Sequence, residues 1–270
     1  MQRRGVGCIV AEVAPIGYVR GMLEWIGEAT EDGAVLEQRF DIVHAEGPDG
    51  AETRVPGVLW TPAVAPGPVP LVLIGHGGAG HKRDDSRLDY AHSYVASGLA
   101  AAAIDGPFHG DRAPAEPGER AYDEALVDSM VADWRATLDA LVALDAIDGG
   151  RVGYGGVSMG TMFGLPFIVA EERVSAAVLG LCGLRGDGEV DGGLYGRLAA
   201  DAPRLDRPVL FVMQWDDELF ERDSVLALYD ALGSADKRLV ANPGGHAETP
   251  PHVRLTTHGF LVEALTQPAA

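Results

Sequence analysis

Hydrophobic residues occur along this chain in short continuous runs separated by longer mixed segments. The runs are typical of strands buried on both faces of a parallel sheet, and they lie at 71–74, 99–104, 151–155, 174–181, 208–213 and 238–241. The segments between them predict helices over 84–97, 119–146, 159–170, 224–232 and 251–265. Strands that alternate with helices predict a mostly parallel sheet with helices on both faces, an α/β fold.

Two segments do not follow this alternation. Residues 1–66 indicate a β-rich entry segment, with extended candidates at 35–44 and 53–60 on either side of the turn-forming residues 47–50. Residues 184–206 are rich in Gly, Asp and Arg without a sustained period, which predicts a short excursion over the sheet edge and no large lid. A length of 270 residues suits one wound α/β domain, so we predict a single domain over 1–270.

Charge and cysteine content exclude several classes of partner. The net charge of −19, without a cluster of basic residues, argues against nucleic acid. The two cysteines, Cys8 and Cys182, form neither a disulfide framework nor a metal-ligand spacing, which fits a reducing compartment. Glu12 and Arg20 interrupt the apolar stretch near the N-terminus, and no run is long enough to span a membrane. We expect a cytoplasmic protein with no membrane partner, and homo-oligomer formation stays open.

The motif Gly156-Val157-Ser158-Met159-Gly160 lies between a predicted strand and a predicted helix. Small flanking residues allow a sharp turn that raises the Ser158 hydroxyl above the sheet edge. Alone, the motif is a weak signal in a chain with 36 glycines, and a glycine-rich turn with a solvent-exposed serine is the alternative. The strand–turn–helix context favours a nucleophile, which requires a base and a group that orients the base.

Eight histidines are present to serve as the base. His246 follows the last predicted strand, and the carboxyl ends of parallel strands share one edge of a sheet, so we expect it beside Ser158. His109 also leaves a strand at this edge, but the order nucleophile, acid, base along the chain favours His246. The acid is expected one strand earlier, where Asp216 and Asp217 are adjacent; the alternative is a solvated acidic loop.

The developing oxyanion requires hydrogen-bond donors, which backbone N–H groups of glycine-rich loops provide. Met159, directly after the nucleophile, is one candidate. Gly78, in the loop after the strand at 71–74, is the second, with Gly77 and Ala79 as near alternatives. Residues beside core strand ends are expected to border the substrate pocket: Phe108, His109, Trp215 and Leu219.

A metal site is disfavoured. It would have to use His76, His81 and His109 with Asp105 or Asp111. The spacing from His76 to His81 falls in a glycine-rich loop, which lacks the rigid helical geometry of zinc motifs.

These residues together resemble the α/β-hydrolase superfamily, and the chain is similar to its small, nearly lidless dienelactone hydrolase-like and esterase members. The resemblance runs from about Pro70 to Leu265 and leaves residues 1–66 outside it. It rests on His76-Gly77-Gly78, the strand end 105–110, the turn 156–160, the loop 214–219 and Gly245-His246. It implies the α/β-hydrolase fold with little or no lid, an acyl-enzyme on Ser158, and no metal or organic cofactor.

The resemblance also bears on the acid and the substrate. In such proteins the acid stands three residues after a glycine that closes the strand, and Gln214 occupies that position here, which favours Asp217. Dienelactone hydrolases carry cysteine at the nucleophile position, so Ser158 indicates a carboxylesterase or lactone hydrolase acting on a small ester. Thioesterase, amidase or peptidase, carbon–carbon bond hydrolase and acyltransferase chemistry use the same residues. A ligand-binding scaffold with a vestigial triad is the non-enzymatic alternative.

Overall fold

The computed structural model describes residues 21–46, 51–115, 123–185 and 193–267. Nine strands occur within these ranges: β1 Met22–Asp32, β2 Val35–Glu46, β3 Ala51–Pro62, β4 Val69–Ile74, β5 Ala100–Ile104, β6 Ile147–Gly155, β7 Val174–Gly180, β8 Val209–Gln214 and β9 Lys237–Asn242. The same ranges contain six α-helices: α1 Asp85–Ala96, α2 Glu124–Val142, α3 Met159–Ala170, α4 Gly193–Asp201, α5 Arg222–Ala231 and α6 Pro251–Thr266. None of these helices combines the length and apolarity needed to cross a membrane.

The strands of the described ranges form one sheet in the order β1-β2-β3-β5-β4-β6-β7-β8-β9. Every neighbouring pair from β5 to β9 is parallel. In contrast, β1, β2 and β3 are antiparallel, and β3 pairs antiparallel with β5. Parallel neighbours need crossover connections, which the helices provide, whereas the antiparallel pair β1 and β2 is joined directly by a tight turn. The predicted mostly parallel α/β sheet is confirmed.

Helices cover both faces of the parallel part of the sheet. Leu71 and Leu73 of β4 belong to a core with α2 and α3, whereas Val72 and Ile74 belong to a second core with α1 and α6. Successive side chains of a strand point to opposite faces, so a strand between two helix layers must be apolar at every position. This explains why continuous hydrophobic runs marked the core strands.

The entry segment contains one strand more than the sequence pattern indicated. The extended candidates 35–44 and 53–60 correspond to β2 and β3, while the predicted turn at 47–50 lies outside the described residues. β1 was not predicted, because an edge strand with mostly exposed positions carries no apolar run. β1 is identified as a strand by its antiparallel pairing with β2.

Two predicted boundaries in the middle of the chain were wrong. The helix predicted over 119–146 is observed as α2, which ends at Val142 because a tight turn follows it; residues 119–122 are outside the described part. β6 begins at Ile147, so Gly149 and Gly150, expected to end the helix, lie inside a strand. The excursion at 184–206 contains α4 followed by a 3₁₀ turn at Ala202–Arg204.

The start of α5 also differs from the prediction. Asp223 was expected to cap a helix beginning at Ser224, but α5 begins at Arg222 with Glu221 at the capping position and no side-chain cap. Ser224 is buried, and its hydroxyl is satisfied there because it accepts from the Arg185 N–H at 2.7 Å and donates to the Arg185 carbonyl at 3.1 Å. This tertiary contact with the chain after β7 places Ser224 inside the first turn.

Candidate active site

Ser158 lies in the turn between β6 and α3, with backbone angles φ 57° and ψ −124°. A positive φ is uncommon outside glycine and is strained, and such residues cluster at functional sites. Glycines on both sides make the turn possible. A Cβ at Gly156 would lie 2.8 Å from Tyr154 Oη, and one at Gly160 would lie 3.3 Å from the Gly75 carbonyl. The turn therefore packs tightly on the sheet while Ser158 lines a cavity above the sheet edge.

His246, in the loop after β9, lies against Ser158. The Ser158 hydroxyl oxygen is 3.0 Å from His246 Nε2, and His246 Nδ1 is 2.8 Å from Asp217 Oδ2. A carboxylate can only accept, so Nδ1 carries the proton and Nε2 is left as an acceptor for the serine hydroxyl. The arrangement can activate Ser158 as a nucleophile by general-base catalysis.

Asp217, in the loop after β8, is the carboxylate that contacts the imidazole. Its side chain is 1% exposed, and its Oδ1 accepts from the N–H groups of Leu219 and Phe220 at 2.9 and 3.0 Å. Asp216 points elsewhere: it is 67% exposed and accepts from the Gly244 N–H at 3.2 Å. Of the two adjacent acids that the sequence offered, the structure places Asp217 at His246.

Three carboxylates hold the backbone of the His246 loop. The N–H of Gly244 donates to Asp216, and the N–H groups of Gly245 and His246 donate at 2.8 Å to Glu248 and Glu218, respectively. The hydrogen bond from the His246 N–H lowers the pKa of Glu218, because it favours the ionised carboxylate. Sequence reasoning missed the contributions of Glu218 and Glu248. Glu248 follows the glycine pair closely, which was a usable signal, whereas Glu218 reaches the loop only through the fold.

Two histidines hold the glycine-rich loop after β4. His109 Nε2 lies 2.8 Å from the Gly78 carbonyl. His76 Nε2 accepts from the Gly106 N–H at 2.8 Å, so its proton is on Nδ1, which donates to the Gly77 carbonyl at 2.9 Å. Burial lowers the pKa of His76 to about 4. These contacts join the loop after β4 to the loop after β5.

The two predicted oxyanion donors lie on different elements. Gly78 lines the cavity that contains Ser158. Met159 is the first residue of α3 and follows Ser158 directly. The positive end of the α3 dipole is therefore at the nucleophile, where it favours a developing negative charge.

A cavity of about 580 Å³ contains Ser158 and His246. Its other walls come from the ends of β4, β6, β7 and β8, from the loop after β4, and from the N-terminal parts of α1 and α6. Sequence reasoning missed the helix walls, although polar residues three and four apart at a helix start were a usable signal. The most notable of these residues are Arg87, Tyr90, Arg254 and Thr257.

The four residues expected to border the pocket are not among those that line this cavity. Phe108 adopts a positive φ of 66° in the loop after β5. His109 is buried beneath the loop after β4. Trp215 and Leu219 are exposed in the loop after β8, where Arg222 lies 4.8 Å from the Trp215 ring centre.

The residues of the disfavoured metal site make other contacts. Both ring nitrogens of His76 and of His109 lie at hydrogen-bond distance from backbone groups. Asp105 accepts from the backbone N–H and the side chain of Lys82 and from the Asp111 N–H. Within the described ranges, no group of three His, Cys, Asp or Glu side chains is arranged to hold a metal ion.

Comparison with known proteins was made by sequence and by structure. The sequence matches no protein-family model and no curated protein. Among solved structures, the chain is 34% identical to a cold-adapted esterase from an Arctic intertidal metagenomic library in complex with PEG. That match covers 90% of this chain and 100% of the esterase, with a TM-score of 0.75.

Two acetyl xylan esterases share the fold at lower identity. The enzyme from Thermoanaerobacterium sp. JW/SL YS485 is 18% identical with a TM-score of 0.70, and that from Paenibacillus sp. R4 is 19% identical with a TM-score of 0.67. Each match covers 92% of this chain and 89% of the other.

Because the match to the cold-adapted esterase covers 90% of this chain, it must include part of residues 1–66. The expectation that this whole segment lies outside the resemblance was wrong.

Proposed function

Because this chain belongs to the α/β-hydrolase esterases and hydrolyses ester bonds, we propose that it cleaves small carboxylic esters or lactones with Ser158, His246 and Asp217 as its catalytic triad. The observation that carries the proposal is the continuous series of hydrogen bonds from Asp217 through His246 to Ser158. The serine end of this series opens into the cavity of about 580 Å³, a size that suits a compact ligand.

The reaction follows from the roles of the three side chains. Ser158 Oγ attacks the ester carbonyl carbon while its proton moves to His246 Nε2, and the carbonyl π electrons move to oxygen. Asp217 holds the Nδ1–H and stabilises the imidazolium. When the carbonyl re-forms, the alcohol leaves with the proton from His246. Water then attacks the acyl-serine and gives a proton to His246. When the second tetrahedral intermediate collapses, the acid leaves and His246 returns the proton to Ser158 Oγ.

The oxyanion of each tetrahedral intermediate is assigned to the backbone N–H groups of Met159 and Gly78. Support comes from the position of Gly78 in the cavity wall and of Met159 at the positive end of α3. Backbone donors fixed before the reaction stabilise the developing charge without reorganising during it. Removal of one such donor typically lowers kcat about 100- to 1,000-fold.

Hydrolysis of p-nitrophenyl esters from acetate to long acyl chains tests this proposal. Wild type is compared with Ser158→Ala, and with Ser93→Ala as a matched control, since the exposed Ser93 hydroxyl donates to the Asp89 carbonyl and Ser93 is not among the described residues that line the cavity. We expect activity on short chains that falls at least about 1,000-fold in Ser158→Ala and persists in Ser93→Ala. Full activity of folded Ser158→Ala would show that the triad is not the catalyst.

The remaining proposals concern the whole chain. We assign residues 1–270 to one α/β-hydrolase domain, which is supported by the single sheet of the described strands. A cytoplasmic location is supported by the presence of only two cysteines. Association with a second copy is supported by three exposed apolar residues on the edge strand β1: Met22, Trp25 and Ile26.

A further inference from the structure

The cavity at Ser158 has one apolar wall and one polar wall. The apolar wall is formed where the strands end, and it comprises Ile74, Val178, Leu181 and Val212. The polar wall is formed by the first two turns of α1 and α6, and it comprises Ser86, Arg87, Tyr90, Arg254 and Thr257. A hydrogen bond of 3.2 Å between Tyr90 Oη and Thr257 Oγ1 joins the two helices.

The charges in this wall have the opposite balance to the chain as a whole. The net charge of the chain is −19, whereas the Lys, Arg, Asp and Glu residues that line the cavity are two arginines and one aspartate within the described ranges. Arg254 pairs with Asp89, which lies outside the cavity lining. Asp84 caps α1 by accepting from the Arg87 N–H at 2.9 Å. The charged residues that line the cavity therefore sum to +1, in contrast to the acidic chain as a whole.

Arg87 places hydrogen-bond donors in a largely buried position at the cavity wall. Its side chain is 13% exposed, and loss of solvation lowers its pKa. Nη2 donates to Ser86 Oγ at 3.0 Å. Nε is buried and has no hydrogen-bond partner among the described residues, with Asp84 Oδ1 at 3.5 Å. A buried donor without an acceptor is costly, and a charged acceptor relieves that cost most effectively.

The backbone adds to the same potential. α1 and α6 both begin at the cavity, with 12 and 16 residues. Each directs the positive end of its dipole toward the enclosed space, where anions are favoured. At α6, Pro250 occupies the capping position and supplies no side-chain acceptor for the first N–H groups. Two helix starts and two arginines thus converge on one wall.

We propose that this cavity selects esters that carry a carboxylate, with Arg87 and Arg254 as the specificity-determining residues that bind it. The inference rests on the proposed function of Ser158 and names the substrate class of the same site. The reacting carbonyl lies at Ser158 beside the apolar wall. The carboxylate, on either the acyl or the alcohol half of the ester, lies at the polar wall between α1 and α6.

The test compares esters of equal length with and without a carboxylate at pH 7. Monomethyl glutarate is paired with methyl pentanoate, which places the carboxylate on the acyl half. The 4-acetoxybutanoate anion is paired with butyl acetate, which places it on the alcohol half. Released methanol and acetate give kcat/KM for each ester. In at least one pair we expect the carboxylate ester to be preferred about tenfold or more, as for a charge-assisted hydrogen bond.

Three variants identify the source of the preference. Arg87→Met and Arg254→Met should each lower the ratio of kcat/KM values between charged and neutral esters, by about tenfold for the more buried Arg87. Arg238→Met is the charge-matched control, because Arg238 pairs with the exposed Asp236 and does not line the cavity. It removes the same charge from the chain and should preserve the ratio. Thermal unfolding of each variant establishes that it is folded.

Each outcome decides a different proposal. If wild type cleaves the neutral esters in a Ser158-dependent way but shows no preference for a charged partner, only the carboxylate inference is overturned. A preference that survives both Arg87→Met and Arg254→Met also overturns the assigned residues. If no ester is cleaved, or Ser158→Ala is as active as wild type, the proposed function itself fails and the inference fails with it. If Arg87→Met does not fold, the more exposed Arg254 decides the test.

Discussion

Asp216 and Asp217 are neighbouring side chains with the same chemistry and different surroundings. Asp217 is buried, receives two backbone N–H groups and contacts the imidazole of His246. Asp216 is exposed to solvent and accepts one hydrogen bond, from the Gly244 N–H at 3.2 Å. A buried carboxylate that accepts from the ring N–H fixes the tautomer of a catalytic histidine, whereas a carboxylate in solvent that does not contact the ring cannot. The difference between the two residues is therefore one of position.

Replacement of each acid by its amide separates the two. Asp217→Asn would present an N–H group to His246 Nδ1 and favour the wrong tautomer, so we expect kcat on p-nitrophenyl acetate to fall about 1,000- to 10,000-fold. Asp216→Asn should change kcat by less than about threefold, because exposed charges contribute little. The contrary outcome, in which Asp216→Asn is the more damaging, would reassign the acid of the triad.

At the scale of elements, His76 joins two loops that follow neighbouring strands, β4 and β5. It accepts from Gly106 and donates to Gly77, and it is 3% exposed. Both bonds require the neutral ring with the proton on Nδ1. Burial lowers the pKa of His76 to about 4, from about 6.5 in the unfolded chain.

This pKa difference predicts a pH dependence of stability. Between pH 6.5 and 4 the unfolded chain binds a proton at this residue that the folded chain does not bind. The contribution of His76 is therefore fully present above about pH 6.5 and is lost as the pH falls toward 4. Between pH 7 and 4.5 the wild type should lose about 2 kcal/mol more unfolding free energy than His76→Gln.

Urea unfolding of the two proteins at several pH values measures this difference. Parallel stability curves would contradict the prediction. Should His76→Gln fold poorly, the ring of His76 can be titrated in wild type by NMR. A titration midpoint near 6.5, the pKa of an unfolded histidine, would also contradict the prediction.

At the scale of the whole molecule, a buried ionic network joins the antiparallel entry strands to the helix layer. Asp133 of α2 is 0% exposed and contacts His44 Nε2 of β2 at 2.8 Å and Arg112 Nη1 at 2.6 Å. Arg112 also donates to the Asp105 carbonyl at the end of β5. Removal of one partner from such a network leaves buried charge without compensation.

Asp133→Ala should therefore lower the free energy of unfolding by about 3–5 kcal/mol. The control is Asp128→Ala on the same helix, where Asp128 is 63% exposed and pairs with Arg197. An exposed pair contributes about 1 kcal/mol or less. Urea unfolding at pH 7 measures both variants, and equal effects would show that the network does not hold the entry strands to the helices.

The sequence determined the features that depend on neighbouring residues along the chain. Continuous apolar runs marked the core strands because helices cover both faces of the parallel sheet. The glycines around Ser158 marked its turn because only small residues allow the close approach to Tyr154 and Gly75. The position of His246 after the last strand followed from the common edge of parallel strands.

Only the tertiary structure decided the features that depend on which surfaces meet. β1 has no continuous apolar run by which it could be recognised, and it forms a strand through its pairing with β2. Asp217 differs from Asp216 through its contact with His246, which is 29 residues away along the chain. Arg87 and Arg254 are ordinary polar residues in the sequence and share a cavity wall because α1 and α6 pack side by side. The local pattern of apolar and polar residues predicts secondary structure, whereas the active site forms through contacts between segments that are far apart in the sequence.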